Sequence, residues 1–213
     1  MEQDFEMPRK KMIEQQLKVR NIQSQAVLDA MLQVPRHLFV PVNLQNSAYN
    51  DCPLPIGKEQ TISQPYIVAF MSEQLKTAKG MKILEIGTGS GYQAAILSCL
   101  GCEVYTIELI EELAQAAQYT LSNLKYDTVR IRNGNGFSGW PEEAPFDRII
   151  VTAAPPAMPL KLIEQLKEDG SMIIPIGPVY NVQILKCITK KDHTIIEKDL
   201  IPVRFVPMVD TLF

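Results

Sequence analysis

Apolar and polar positions in the second half of this chain follow two alternating rhythms. Short apolar runs at Ile83-Leu84-Glu85-Ile86, Glu103 to Ile107, Val129 to Arg132, Arg148 to Thr152 and Met172 to Ile176 predict five strands. Between them, Gly91 to Leu100, the series Ile110, Leu113, Ala117, Leu121 and Leu124, and Pro159 to Leu166 predict helices. Strands that alternate with helices imply a parallel sheet covered on both faces, wound by right-handed crossovers. The stretches Val182 to Ile188 and Ile195 to Val206 predict two further strands with no helix between them, an antiparallel edge to that sheet.

Before about Ala78 the rhythm is different. Val27, Leu28, Met31 and Leu32 mark one face of a helix that Val34-Pro35 ends. A proline-rich loop follows through Pro41, Pro53 and Pro55, and then Gln60-Thr61-Ile62-Ser63-Gln64-Pro65 leads into a second helix, with Pro65 in its first turn. Ile67, Met71 and Leu75 give that helix an apolar stripe. No repeat or flexible linker divides the chain. One domain over residues 1–213 is expected, with a helical and loop subregion at 1–78 and an α/β core at 79–213.

Composition adds mostly exclusions. The 213 residues are 46% hydrophobic and 21% charged, in the range of a folded globular chain. The formal net charge is −3, and the densest basic runs, Arg9-Lys10-Lys11 and Lys190-Lys191, are short and far apart, so no nucleic-acid partner is expected. The start of the chain lacks the apolar core of a signal peptide, and no apolar run reaches the ~18–20 residues that span a bilayer, which fits a cytoplasmic protein with no membrane partner. Cys99 and Cys102 form a CxxC at a helix-to-strand junction. It has no second pair and no neighbouring histidine, and a redox role stays open. With only His37 and His193 in the chain, no metal site and no histidine-based triad is expected.

The chemistry concentrates in Glu85-Ile86-Gly87-Thr88-Gly89-Ser90-Gly91, between the first strand and first helix of the sheet. Glycines there allow a tight turn and a close ligand. The spacing is GxGxG, whereas the dinucleotide fingerprint is GxGxxG with a pyrophosphate at the helix N-terminus. Glu108 closes the second strand, about 20 residues on, where a carboxylate accepts both ribose hydroxyls. S-adenosylmethionine has a ribose and cationic groups but no phosphate. An acidic residue before the loop suits it, Glu85 either holding the loop or attracting the cofactor's positive charges. The plainer alternative is a simple βα turn with Glu108 as a solvated strand end.

Several segments resemble the protein-L-isoaspartate O-methyltransferase family: Pro35 to Pro41, Ala48-Tyr49, Pro53 to Gly57, Gln60 to Tyr66, residues 85–93, residues 144–156 and residues 203–209. The likeness runs from about Met12 to Val209, and its most specific part is TISQPY at 61–66, because the glycine loop alone is common to many methyltransferases. The resemblance implies an α/β fold with a Rossmann-like S-adenosylmethionine-dependent sheet, mostly parallel, with an antiparallel C-terminal edge and a helical N-terminal extension. It implies methyl transfer from S-adenosylmethionine to the α-carboxylate of L-isoaspartyl residues in damaged proteins and peptides. The ester then closes to a succinimide, whose hydrolysis returns some normal aspartate.

By the same likeness Ser63 contacts the acceptor carboxylate, Gln60, Thr61 and Tyr66 line the pocket near the cofactor, and Gly87, Gly89 and Glu108 touch the cofactor. Asn135-Gly136 stands where the family has Asp-Gly, whose acid reads the adenine amino group. Asn135 keeps an acceptor oxygen but loses the charge. Lys58-Glu59 replaces a glycine-containing pair before Gln60, which stiffens that loop.

A carboxylate acceptor is already ionised at neutral pH, with an ordinary pKa of about 3.5–4, so the reaction needs no general base. It needs alignment and removal of water, for which a neutral serine hydroxyl is suited. From spacing alone Ser63 equally suits a cap on the Pro65 helix. Trp140 reads as a core aromatic, and Arg204 as either a peptide contact or a solvent-facing strand residue. Three rival functions fit the sequence less well. Methyl transfer to an amine meets the objection that Ala153-Ala154-Pro155-Pro156-Ala157 lacks the polar first and aromatic last residue of that chemistry. Hydride transfer meets the GxGxG spacing, and cofactor binding without catalysis meets the presence of Ser63 beside Gly87, Gly89 and Glu108.

Overall fold

The computed structural model describes residues 4–179 and 181–210. The βαβ rhythm of the sequence becomes a seven-stranded sheet of order β5-β4-β3-β6-β7-β8-β9. Its strands are β3 Lys82–Ile86, β4 Glu103–Glu108, β5 Val129–Asn133, β6 Phe146–Val151, β7 Leu166–Ile176, β8 Gln183–Lys191 and β9 Thr194–Val203. β5 through β7 run parallel, and β8 and β9 add the antiparallel edge. β1 Leu54–Gly57 and β2 Gln60–Ile62 form a separate hairpin.

Side-chain alternation sorts the two faces of the sheet. Ile83, Val104, Ile150 and Ile173 point to the larger apolar cluster. There they meet α2 Gln25–Gln33, α3 Pro65–Leu75, α4 Tyr92–Cys99 and Leu121 of α5 Glu111–Asn123. Leu84, Ile86, Ile149 and Met172 point the other way, against Leu162 of α6 Leu160–Glu164, Trp140 and Met208. Trp140, expected as a core aromatic, is half-buried against this cluster, edge-on to Tyr105. The N-terminal helix α1 Glu6–Met12 runs on through a π-helical turn and ends at Asn21, in the left-handed region.

Four elements differ from the pattern reading. α6 spans only Leu160–Glu164, because β7 begins at Leu166 and bulges over Lys167 to Gly170, with Asp169 left-handed (φ 59°), before pairing resumes at Ser171. The stripe of α3 is Val68, Met71, Ser72 and Leu75, one position round from the Ile67 phase. β9 stops at Val203, and the following segment leaves the sheet and crosses to Ala154, where the Ala154 N–H donates to the Val206 carbonyl and the Met208 N–H donates to Ala154. The β1–β2 hairpin falls in what reads as a proline-rich loop. Its turn is made by Lys58 (φ 50°) and Glu59 (φ 57°), both left-handed without being glycine.

Such a two-residue turn favours Asn-Gly, and each ordinary side chain there costs about 1 kcal/mol. The double substitution Lys58→Asn, Glu59→Gly is therefore expected to raise the thermal midpoint by about 3 °C or more. Calorimetry that finds no rise would show the turn to be unstrained.

Candidate active site

The chain leaves β5 on one side of β3 and returns as β6 on the other, so the ends of β3 and β6 form the switch point at which open α/β sheets bind ligands. The glycine loop after β3 sits there. Gly87 and Thr88 both donate N–H bonds to the Ile107 carbonyl, at 2.9 and 3.2 Å, which folds the loop over the end of β4. Gly87 has φ 93°, and a Cβ on it would lie 2.6 Å from the Thr152 Oγ1, so neither conformation nor space admits a side chain. Thr152, just past β6, donates its hydroxyl to the Gly87 carbonyl at 2.7 Å.

Glu108 ends β4 and is only 6% exposed. One carboxylate oxygen accepts the Gly89 N–H at 2.8 Å and the other accepts the Ile110 N–H at 3.0 Å. The acid is thus locked to the glycine loop with lone pairs still available to hydroxyl donors, and is no idle strand end. Across the cleft, a Cβ on Gly136 would lie 2.4 Å from Ile86 Cγ2, so that turn admits only glycine.

These elements border one open cleft of about 1030 Å³, ample for a nucleoside cofactor and an acceptor side chain. Gln60, Thr61, Ser63, Gly87, Gly89, Glu108 and Gly136 all line it. A smaller void of about 40 Å³ under the loop is shared by Thr61, Ser63, Gly87, Gly89 and Thr152. Ser63 is therefore common to both spaces. The N-cap of α3 is Gln64, and among the described residues no side-chain bond caps that helix, so the capping reading of Ser63 does not hold. The Ser63 carbonyl accepts an N–H from Arg36 Nη2 at 2.7 Å, which fixes the backbone beneath the hydroxyl.

Three expected site residues are not among those that line the cleft. Tyr66 is turned from the cleft and packs under the Arg20 guanidinium, 4.5 Å from its ring centroid, because one helical step separates it from the cleft-lining Ile67. Asn135 uses its side chain structurally: its oxygen accepts the Phe137 N–H at 2.8 Å, capping a short 3-10 turn, and its amide donates to the Asp210 carbonyl. Glu85 is wholly buried behind the loop, on the β3 face opposite Ile86, and neither oxygen has a hydrogen-bond partner in bonding geometry among the described residues. Burial, with the Glu108 charge acting in the same direction and Thr106 against it, pushes the Glu85 carboxyl up to about 8.

Between about pH 4.5 and 8 the folded chain keeps a proton on Glu85 that the unfolded chain releases, so this group costs stability increasingly as pH rises through that window. Glu85→Gln is expected to leave the thermal midpoint near wild type at pH 5 and to raise it by about 5 °C at pH 9. Equal shifts at both values would mean that Glu85 does not titrate there.

Sequence reasoning assigned no site role to Thr152, Ile107, Ile110 or the rest of the wall from Pro202 to Val209, where Arg204, left as either a peptide contact or a solvent-facing residue, lines the cleft. Thr152 becomes visible once β6 is known to neighbour β3, and the wall past Val203 once the predicted last strand is seen to stop there and cross to Ala154. Among the described residues no group of three or more His, Cys, Asp or Glu is placed to hold a metal. Cys99 and Cys102 are free thiols that burial shifts upward, the opposite of an activated redox pair.

A family model described as protein-L-isoaspartate(D-aspartate) O-methyltransferase matches residues 7–212. A protein-L-isoaspartate O-methyltransferase of Gloeobacter violaceus is 52% identical over 197 residues, 92% of this chain and 96% of that protein. One of Opitutus terrae is 53% identical over 93% of this chain and 85% of its own. A solved protein-L-isoaspartate O-methyltransferase superposes with TM-score 0.84 at 31% identity, over 93% of this chain and 65% of its own. A Plasmodium falciparum structure described as a protein-L-isoaspartate O-methyltransferase in complex with S-adenosyl-L-homocysteine gives 0.83 at 29% identity, over 95% and 99%.

Proposed function

The chain belongs to the protein-L-isoaspartate O-methyltransferase family, and from that membership we propose how its residues divide the work. The activity is transfer of a methyl group from S-adenosylmethionine to the free carboxylate of L-isoaspartyl residues, which starts repair through a succinimide. Isoaspartyl proteins and peptides are its substrates. We place its work in the cytoplasm, with no nucleic-acid or membrane partner. In support, no helix among the described residues is long and apolar enough to cross a membrane, and the net charge is −3.

The observation that carries the residue assignment is that Ser63 and Glu108 line the same cleft, with the glycine loop between them. Gly87, Gly89 and Gly136 let the adenosine and amino-acid portions of the cofactor approach the backbone closely, and Glu108 accepts from the ribose. Gln60 and Thr61 on the hairpin border the cofactor from the acceptor side. Glu85, Asn135 and Tyr66 contribute by holding the loop, the adenine-side turn and α3 in place.

When bound, the cofactor supplies an electrophilic methyl group on sulfur. An acceptor carboxylate oxygen forms the new O–CH3 bond with its own lone pair as the C–S bond breaks, and the sulfur keeps that electron pair. No protein group has to take a proton. Ser63 donates its hydroxyl to one carboxylate oxygen and leaves the other aligned for attack, a positioning role with no covalent serine intermediate. Arg204, on the tail wall, faces the peptide around the acceptor.

The deciding assay offers radiolabelled S-adenosylmethionine with two peptides that differ only in L-isoaspartate or L-aspartate. Label is expected in the isoaspartyl peptide alone. Cofactor binding with label in neither peptide would remove the assignment.

A further inference from the structure

Arg36 is a large side chain with none of its surface exposed, and it sits beneath the acceptor loop. Its Nε donates to the Ala48 carbonyl and its Nη2 to the Ser63 carbonyl, both at 2.7 Å, and its guanidinium lies 4.9 Å from the centroid of the Tyr92 ring. Its Nη1 has no hydrogen-bond partner among the described residues. The groups that act on it most are Tyr92, Tyr49 and Cys52, none of them a carboxylate. Burial lowers its pKa to about 10, so it stays charged at neutral pH.

A buried cation without a counter-ion is costly, and an apolar side chain of similar volume would serve a merely structural purpose as well or better. What distinguishes this cation is its place. It is bonded to the residue whose hydroxyl opens into the cleft, and the medium between them is protein, through which a charge acts over a longer range than through water. A guanidinium in direct contact with the acceptor would form a bidentate ion pair and blunt the nucleophile. One layer behind a neutral hydroxyl, it attracts the anion without tying up its oxygens.

Taking as its premise that Ser63 holds the acceptor, we propose that Arg36 is the positioning residue that selects for a carboxylate, fixing Ser63 through its carbonyl and supplying the positive charge that the incoming anion meets. The cleft would then discriminate between an acceptor carboxylate and its uncharged amide, even though the only group assigned to touch it there is neutral.

The test compares wild type, Arg36→Lys and Arg36→Met. Each is assayed for kcat and KM with an isoaspartyl peptide and for inhibition by the same peptide with its α-carboxylate replaced by the amide. Circular dichroism and S-adenosyl-L-homocysteine affinity report the fold of each variant. Wild type is expected to bind the carboxylate peptide about tenfold or more tightly than the amide. Arg36→Met should lose about tenfold in affinity for the carboxylate peptide and less than threefold for the amide, while Arg36→Lys keeps most of the preference.

Equal weakening toward both peptides in a folded variant would reduce Arg36 to scaffolding and overturn the proposal. A wild-type preference below threefold would overturn it without any variant. If Arg36→Met does not fold, Arg36→Lys decides: lower kcat with the preference kept supports the role of the charge, and loss of the preference overturns it. Failure of the underlying assignment gives a different result, no methylation of the isoaspartyl peptide by wild type.

Discussion

Ser63→Ala is expected to lower kcat/KM for an isoaspartyl peptide by about 10²- to 10³-fold while S-adenosyl-L-homocysteine affinity stays within about threefold of wild type. The asymmetry follows from what the residue is and is not used for. No helix cap depends on its hydroxyl, and its backbone is held from below by Arg36 through the carbonyl, which alanine retains. The loop should therefore keep its shape, and the loss should be confined to orientation of the acceptor carboxylate. That loss is large because in-line displacement from a sulfonium tolerates little misalignment and no other side chain is assigned to the acceptor oxygens. Initial rates with calorimetric binding of the cofactor product separate the two effects. A change in kcat/KM below threefold would remove Ser63 from the acceptor contact, and a parallel collapse of cofactor affinity would make it a structural residue of the cleft.

The parts of this site that could be read from the chain are those where function demands an unusual backbone. Gly87 announces itself by the GxGxG spacing and Glu108 by closing the second strand about 20 residues on, whereas Gly136 comes only from the likeness; the structure supplies the reason for both glycines, because a side chain would collide with Thr152 or Ile86. The alternation of apolar runs likewise dictated the parallel sheet, since a strand buried on both faces has no polar register to hide in. Ser63 is a different case. Its spacing before Pro65 suits a cap as well as a contact, and only the likeness of TISQPY to a known family tipped the reading. The structure then leaves that helix with Gln64 at its N-cap and no side-chain cap bond among the described residues.

What was hidden had local physical causes. The hairpin carrying Gln60 and Thr61 is built on Lys58 and Glu59, which give no turn signal because the left-handed positions normally filled by Asn and Gly hold ordinary side chains. Tyr66 is expected at the pocket from the likeness alone; in the structure its ring packs under Arg20, and it is Ile67, one helical step of about 100° further round, that lines the cleft. Asn135 was read as an adenine contact because its position has that role elsewhere, yet a side-chain amide also caps turns, and here it does. The tail from Arg204 to Val209, past the end of β9, lines much of the cleft in backbone outside the sheet strands, which carries no period to read.

Glu108 is the second position where a single change should be severe, and the isosteric substitution should be no milder than truncation. Its two oxygens accept the Gly89 and Ile110 N–H groups, so the site presents two backbone donors, and the ribose would bring two hydroxyl donors more. A glutamine offers one acceptor oxygen and one donor NH2, and whichever way the amide turns, the NH2 faces a backbone N–H. That leaves a buried donor unpaired at about 1–3 kcal/mol, in addition to the lost charge on the ribose bonds. Both Glu108→Gln and Glu108→Ala are therefore expected to weaken S-adenosyl-L-homocysteine binding by about 100-fold or more, and to lower the thermal midpoint without cofactor by several degrees, about 3–8 °C. Glu108→Asp keeps the charge one methylene short and should fall between these variants and wild type. Calorimetric titration of the three variants checks the order. If Glu108→Gln binds within threefold of wild type, the acid serves the loop alone and the ribose is held by another group on the cleft wall.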